Sequence, residues 1–170
     1  MDNKMDILKK DLDILFIGFN PSLVSGETGH HYANKNNRFW KILFMAEITD
    51  RQFKPEEDAS LIKQGIGFTN IVARPTKAAD EITREEYQIG RDILRRKISK
   101  YRPKVAFFVG KGVYLQYSQQ KKAEWGKQEQ SVIDGVIDFV APSSSGLVRM
   151  DLETIISIYR QVHKIFHHPW

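Results

Sequence analysis

The sequence predicts an α/β protein, a parallel sheet with helices on both faces. Two short runs, 14–17 (ILFI) and 105–109 (VAFFV), are continuously apolar, as strands covered on both faces are. Between such runs lie longer segments with apolar residues near helical spacing, so strands and helices alternate along the chain. With 170 residues and 41% hydrophobic content, the chain fits one domain spanning 1–170, its core at about 12–166.

Taken in order, residues 14–17 open the sheet and run into Gly18-Phe19-Asn20-Pro21-Ser22. Residues 38–48 (RFWKILFMAEI) read as a mostly buried helix, and 67–72 (GFTNIV) as a weaker strand. Thr83-Arg84-Glu85-Glu86 matches a capping box, after which Tyr87, Leu94, Ile98 and Tyr101 fall near helical spacing. The strand at 105–109 leads into Gly110-Lys111-Gly112, and a third run, 136–140 (VIDFV), into Ala141-Pro142-Ser143-Ser144-Ser145-Gly146. Asp151 caps a last helix with Ile155, Ile158, Val162 and Ile165 on one face. In open parallel sheets ligands bind beyond the carboxyl ends of the strands. The segments at 18–22 and 141–146 are far apart in sequence but placed to share one rim.

Composition removes several chemistries. With no cysteine there is no disulfide scaffold, no Cys-ligated zinc, no iron–sulfur cluster and no thiol nucleophile. No apolar run approaches the ~20 residues of a membrane helix, and the N-terminus lacks a signal-peptide core. A soluble intracellular protein is expected, cytoplasmic and beside the nucleoid in a prokaryote, or nuclear in a eukaryote. The net charge of +5 is unevenly spread. Residues 91–127 hold eleven basic side chains against Asp92 and Glu124, a local +9 against −4 elsewhere. On charge alone this reads as a solvated helix face. With a DNA substrate, part of it becomes a phosphate-contacting surface.

Four motifs carry candidate chemistry. Gly110-Lys111-Gly112 lacks the glycine spacing and the following Ser or Thr of a phosphate loop, which excludes a nucleotide triphosphatase and leaves a strand-to-helix turn. Ser144-Ser145-Gly146 lacks the Gly-x-Ser-x-Gly elbow and an activating base, so a turn contacting phosphates and a plain turn both remain open. His163 and His167 have metal-ligand spacing, but with His168 at the chain end they read as adventitious, and His30-His31 is no better placed. Asn20, after a buried strand, either satisfies a turn or holds a water through its side-chain carbonyl. Tyr32 offers a flat aromatic surface to the same pocket.

The motifs Gly18-Phe19-Asn20-Pro21-Ser22, Gly29-His30-His31-Tyr32, Asn37-Arg38-Phe39-Trp40-Lys41, Arg74-Pro75-Thr76, Trp125-Gly126-Lys127 and Pro142-Ser143-Ser144-Ser145-Gly146-Leu147 appear in order over most of the chain. Together they resemble the mismatch-specific uracil/thymine-DNA glycosylase family. The resemblance implies a three-layer α/β/α fold around a four-stranded parallel sheet. It implies excision of uracil, with thymine and modified pyrimidines as further candidates, opposite guanine in double-stranded DNA. Asn20 falls on the water-positioning asparagine and Tyr32 on the aromatic that stacks against the flipped base. Gly18, Phe19 and Ser143 fall in the pyrimidine pocket. Leu147 falls on the wedge that enters the duplex, Gly146 and Arg149 near the orphaned guanine, and Ser144, Ser145 and Lys111 on phosphate contacts. Ser22 departs from the usual glycine after Asn-Pro, and the triple serine departs from an Asn-Pro-Ser form. No metal or cofactor is implied, and no lysine nucleophile is evident, so a monofunctional, monomeric enzyme handing an abasic site to an endonuclease is expected. A non-catalytic mismatch- or abasic-DNA-binding module is the alternative, and a serine-based α/β hydrolase a more distant one.

Overall fold

The computed structural model describes residues 3–166; His167 and His168 lie outside the described residues. The strands are β1 (Ile14–Gly18), β2 (Ile66–Asn70), β3 (Val105–Val109), β4 (Gly126–Lys127) and β5 (Ile137–Ala141), ordered β2-β1-β3-β5-β4. Four are mutually parallel, as expected, and β4 pairs antiparallel with β5. The expected four-stranded sheet is therefore five-stranded. A two-residue edge strand has no period for a sequence to display.

Successive side chains of a strand point to opposite faces, and here each face meets its own helical layer. Phe16, Phe68, Phe107 and Phe139 pack on one side with α2 (Phe39–Met45) and α5 (Leu152–Arg160). Leu15, Ile17, Phe108 and Val140 pack on the other with α3 (Arg84–Tyr101) and α4 (Lys111–Ser118). Phe16 sits 5.2 Å from Phe39 and 4.7 Å from Phe107, ring centre to ring centre. The capping expectations hold in detail. Thr83 Oγ1 accepts from the Glu86 amide while Glu86 Oε1 accepts from the Thr83 amide, and Asp151 Oδ1 accepts from the Thr154 amide. The helix expected over 38–48 is shorter, because Glu47 takes a left-handed φ of 62° and ends it.

A short helix, α1 (Leu23–Thr28), follows β1. Ser22 Oγ caps it by accepting from the Ser25 amide, so the departure from glycine serves the helix start. At the other sheet edge, Ile7 exchanges two backbone hydrogen bonds of 2.9 Å with Phe68, and the N-terminal segment covers β2. Among the described residues, no helix is long and apolar enough to cross a membrane.

A charged side chain of the sheet itself is buried beneath the α3/α4 layer. Asp138 is fully buried on β5, with Tyr114 Oη and the Val132 amide donating to Oδ2 and no partner at Oδ1. Burial raises its pKa from 3.8 to about 6. Folding thus favours the protonated acid. That contribution is whole below about pH 3.8 and is lost as pH rises through about 6, so ionised Asp138 opposes folding at neutral pH. Relative to the native protein, Asp138→Asn should gain roughly 2–3 kcal/mol between about pH 4 and about pH 7, read from urea unfolding at both values. A stability difference constant with pH would contradict this.

Candidate active site

The chain passes from central β1 to β2 on one side, then returns to β3 on the other. The crossovers therefore diverge between β1 and β3, leaving a crevice at their carboxyl ends. A cleft of about 660 Å³ opens there. Its lining joins residues 18–22, His31, Tyr32, Asn70, Thr76 to Ala79 and Ser143 to Leu147, so the two strand-end segments do share one rim. Gly18 forms the floor. A Cβ there would lie 2.8 Å from Asn70 Oδ1 and 3.0 Å from Tyr32 Oη.

Asn20 is oriented unambiguously. Its Nδ2 donates to the Arg74 carbonyl at 2.7 Å and to Thr76 Oγ1 at 2.8 Å. A carbonyl only accepts, and the Thr76 hydroxyl spends its proton on the Ala78 carbonyl, so the amide cannot be flipped. Asn20 Oδ1 receives no hydrogen bond from any described residue. Arg74 is itself held: its guanidinium donates to both carboxylate oxygens of Glu86 (2.8 and 2.9 Å) and to the Glu81 carbonyl. This pairing lowers the Glu86 pKa to about 2.

The opposite wall is the corner at 30–32. Buried Asp58 accepts from the His31 amide at 2.8 Å and lies 3.2 Å from His30 Nδ1. His31 is buried, and desolvation lowers its pKa, so the ring is neutral at pH 7. Tyr32 adopts a left-handed φ of 51°, a strained setting for a non-glycine residue. Its ring stacks on Phe39 at 3.8 Å and 12°, so only its opposite face and edge remain for the cleft. The hydroxyl is buried without a partner, and desolvation pushes its pKa up.

The loop at 143–149 is tightly folded. Ser143 Oγ accepts from the Ser145 amide and Ser145 Oγ from the Leu147 amide. Arg38 holds this loop: its amide donates to the Ser144 carbonyl (3.0 Å) and its Nη2 to that of Ser145 (3.1 Å). Tyr159 Oη donates to the Pro142 carbonyl at 2.8 Å. Ser144 is buried in the cleft wall, and a Cβ on Gly146 would lie 2.6 Å from the Asn36 carbonyl. From this braced turn Leu147 projects at 93% exposure. Arg149 is exposed just beyond.

Among the described residues, no carboxylate lines the cleft. Lys77 is at its exposed rim. Lys111 lies outside the lining, its Nζ 4.0 Å from the Trp125 ring centre. Much of the +9 segment is tied down internally. Arg91 and Arg95 donate to the Gln116 and Tyr117 carbonyls in the last turn of α4, and Arg102 donates to the Asp134 carbonyl. Lys97 is buried against Asp6, and Lys104 pairs with Asp13. Arg96, Lys121, Lys122 and Lys127 are exposed. His163 Nε2 is 2.9 Å from the Ala46 carbonyl, and no cluster of three or more metal-ligating side chains occurs among the described residues.

The family model for the uracil DNA glycosylase superfamily matches residues 5–163. The chain belongs to the uracil DNA glycosylase superfamily. It is a DNA glycosylase of base excision repair, a hydrolase acting on uracil-type lesions, with DNA as its substrate. The helix-flanked, mostly parallel sheet is consistent with that fold.

Met5, Lys77 and Asp58 escaped the sequence reading, and Asn70 and Thr76, though they lie in the segments 67–72 and 74–76, were given no role there; Met5, Asn70 and Lys77 line this glycosylase's cleft, and Thr76 and Asp58 hold its residues. Thr76 and Asp58 lie 56 and 27 positions from the residues they hold, and only the fold joins them. Thr76→Val removes an acceptor from the Asn20 amide while preserving volume. Single-turnover uracil excision should fall about tenfold or more, with duplex affinity nearly unchanged. Unaltered excision would show that the Thr76 hydroxyl does not set the Asn20 geometry.

Proposed function

We propose that this glycosylase removes uracil mispaired with guanine from double-stranded DNA, acting on a nucleotide flipped into the cleft. The observation that carries the reading is the fixed Asn20 amide. With both amide protons committed to Arg74 and Thr76, Oδ1 is the acceptor that holds and aims a water. The attacked carbon is C1′ of the deoxyribose, shielded inside a duplex, so extrusion must come first and costs a few kcal/mol. A G·U wobble is already weakened, which itself favours mismatches. Leu147, braced yet exposed, fits the role of the wedge that fills the vacated stack, with Gly146 and Arg149 beside the orphaned guanine.

The water attacks C1′ as the C1′–N1 bond breaks; the bonding electrons leave with the base as its anion, which takes up the proton the water sheds, directly or through solvent. Asn20 cannot take a proton with useful pKa, and the lining has no Asp or Glu to do so. Rate enhancement then comes from positioning and from stabilising the departing pyrimidine anion. Backbone N–H groups at Phe19 and Tyr32 supply the dipoles, with Gly18 and Ser143 giving close approach. Free of carboxylates, the cleft also adds no repulsion to an anionic leaving group. Lys77 is solvated at the rim, a setting for a phosphate contact, because nucleophilic lysines need desolvation. The enzyme is accordingly monofunctional and leaves an abasic site for an endonuclease. Lys111 and the exposed lysines of 121–127 supply further phosphate contacts. It acts as a monomer, in the compartment that holds the genome.

Asn20→Ala should reduce single-turnover excision from a G·U duplex by at least about a hundredfold while duplex binding persists. Full activity in that variant would overturn the assignment. Leu147→Ala should slow excision from a paired duplex more than from a weakly paired site, as followed by alkaline strand cleavage. Equal losses on both substrates would argue against a wedge.

A further inference from the structure

Residues 3–7 cross the edge of β2 as a strap, and its anchor is a buried ion pair. Lys97 Nζ lies 2.6 Å from Asp6 Oδ2, the two side chains being 5% and 3% exposed. Asp6 Oδ1 also accepts from Thr69 Oγ1 at 2.7 Å, and Oδ2 from the Asn3 amide at 2.8 Å. Replacing a satisfied buried pair by apolar residues is commonly neutral for stability, so stability alone gives little reason for this one. Its position next to the cleft does. Met5, between the ion pair's anchor at Asp6 and the Asn3 side chain that accepts from its amide, lines the cleft. The Met5 carbonyl lies 2.7 Å from His31 Nε2. Because a carbonyl only accepts, the proton sits on Nε2 and Nδ1 keeps its lone pair. The His31 ring stacks on Phe68 at 5.3 Å, directly beneath the strap's crossing at Ile7, and lines the cleft.

We propose that Asp6 and Lys97 are positioning residues for the base pocket: their ion pair clamps the strap, so that Met5 walls the cleft and its carbonyl locks His31 in one tautomer. Neither side chain needs to touch the substrate. Burial lowers the His31 pKa, opposed by the Met5 carbonyl, Asp58 and Asp6 and reinforced by His30, so a strap that lifts would rewet the ring. The proposal rests on the cleft being the base pocket, but its first readout does not depend on DNA.

That readout is the His31 tautomer in the free, full-length protein, from long-range ¹H–¹⁵N NMR of the ring. Asp6→Asn should show a mixture of both tautomers. Its single-turnover excision from a G·U duplex should fall about tenfold with duplex Kd within about twofold, the signature of lost positioning. Since Asp6→Asn leaves Lys97 buried and unpaired, Thr69→Val is the milder arm. It keeps the ion pair, removes one donor to Asp6, and should shift tautomer and rate the same way by about threefold. A His31 ring still wholly Nε2-protonated in folded Asp6→Asn, or in Thr69→Val if the former does not fold, overturns the proposal. So does slower excision fully accounted for by a smaller folded fraction. If the native protein excises no base while the variants still shift the tautomer, the base-removal reading fails and the clamp stands.

Discussion

A backbone carbonyl decides which way the Asn20 amide faces, and with it which polar atom Asn20 leaves unpaired among the described residues. The Arg74 oxygen can only accept, so the amide nitrogen must turn toward it and the amide oxygen away. The constraint reaches further out. Arg74 is held by the two oxygens of Glu86, and the same carboxylate closes the N-terminal cap of α3 through the Thr83 amide. A helix cap, a surface ion pair and an amide of the cleft thus form one connected set. The exposed Arg74–Glu86 pair adds little stability in itself. Its worth lies in fixing a carbonyl.

The sheet supplies the second constraint. Because the strand order reverses between β1 and β3, Asn20 and Tyr32, twelve residues apart, meet the distant loop at 143–147 in one crevice. Arg38, only six residues after Tyr32 in the chain, holds the loop by two carbonyls. The cleft wall at Tyr32 and the turn that carries Leu147 are therefore mechanically joined. Tyr32 combines a left-handed φ with a buried hydroxyl that has no partner among the described residues, so local stability gives way there to a shaped cavity.

Much of this was legible in the sequence, for identifiable reasons. Fully buried strands such as 105–109 are uniformly apolar, and the caps at Thr83 and Asp151 are local, so both can be read without the fold. Asn20 stood out because a polar amide ends a buried strand, whereas Leu147 was marked only by the resemblance of its loop to the glycosylase family. Contacts between distant segments were not legible: Thr76 on Asn20, Asp58 on His31, Met5 in the cleft. Which cations of 91–127 are tied down internally was hidden for the same reason. A sequence shows where the cations are but not that Arg91 and Arg95 close the end of α4, or that Lys97 faces inward to Asp6.

The central claim is that this cleft hydrolyses uracil flipped from a mismatched duplex. Its most direct test is single-turnover excision by the native protein across G·U, G·T, A·U and single-stranded uracil substrates of one sequence. Fastest release from G·U, slower release from A·U, and slow release from the single strand, where a wedge has no stack to fill, is the expected order. Release from single-stranded uracil as fast as from G·U, or no release from any substrate, would contradict it.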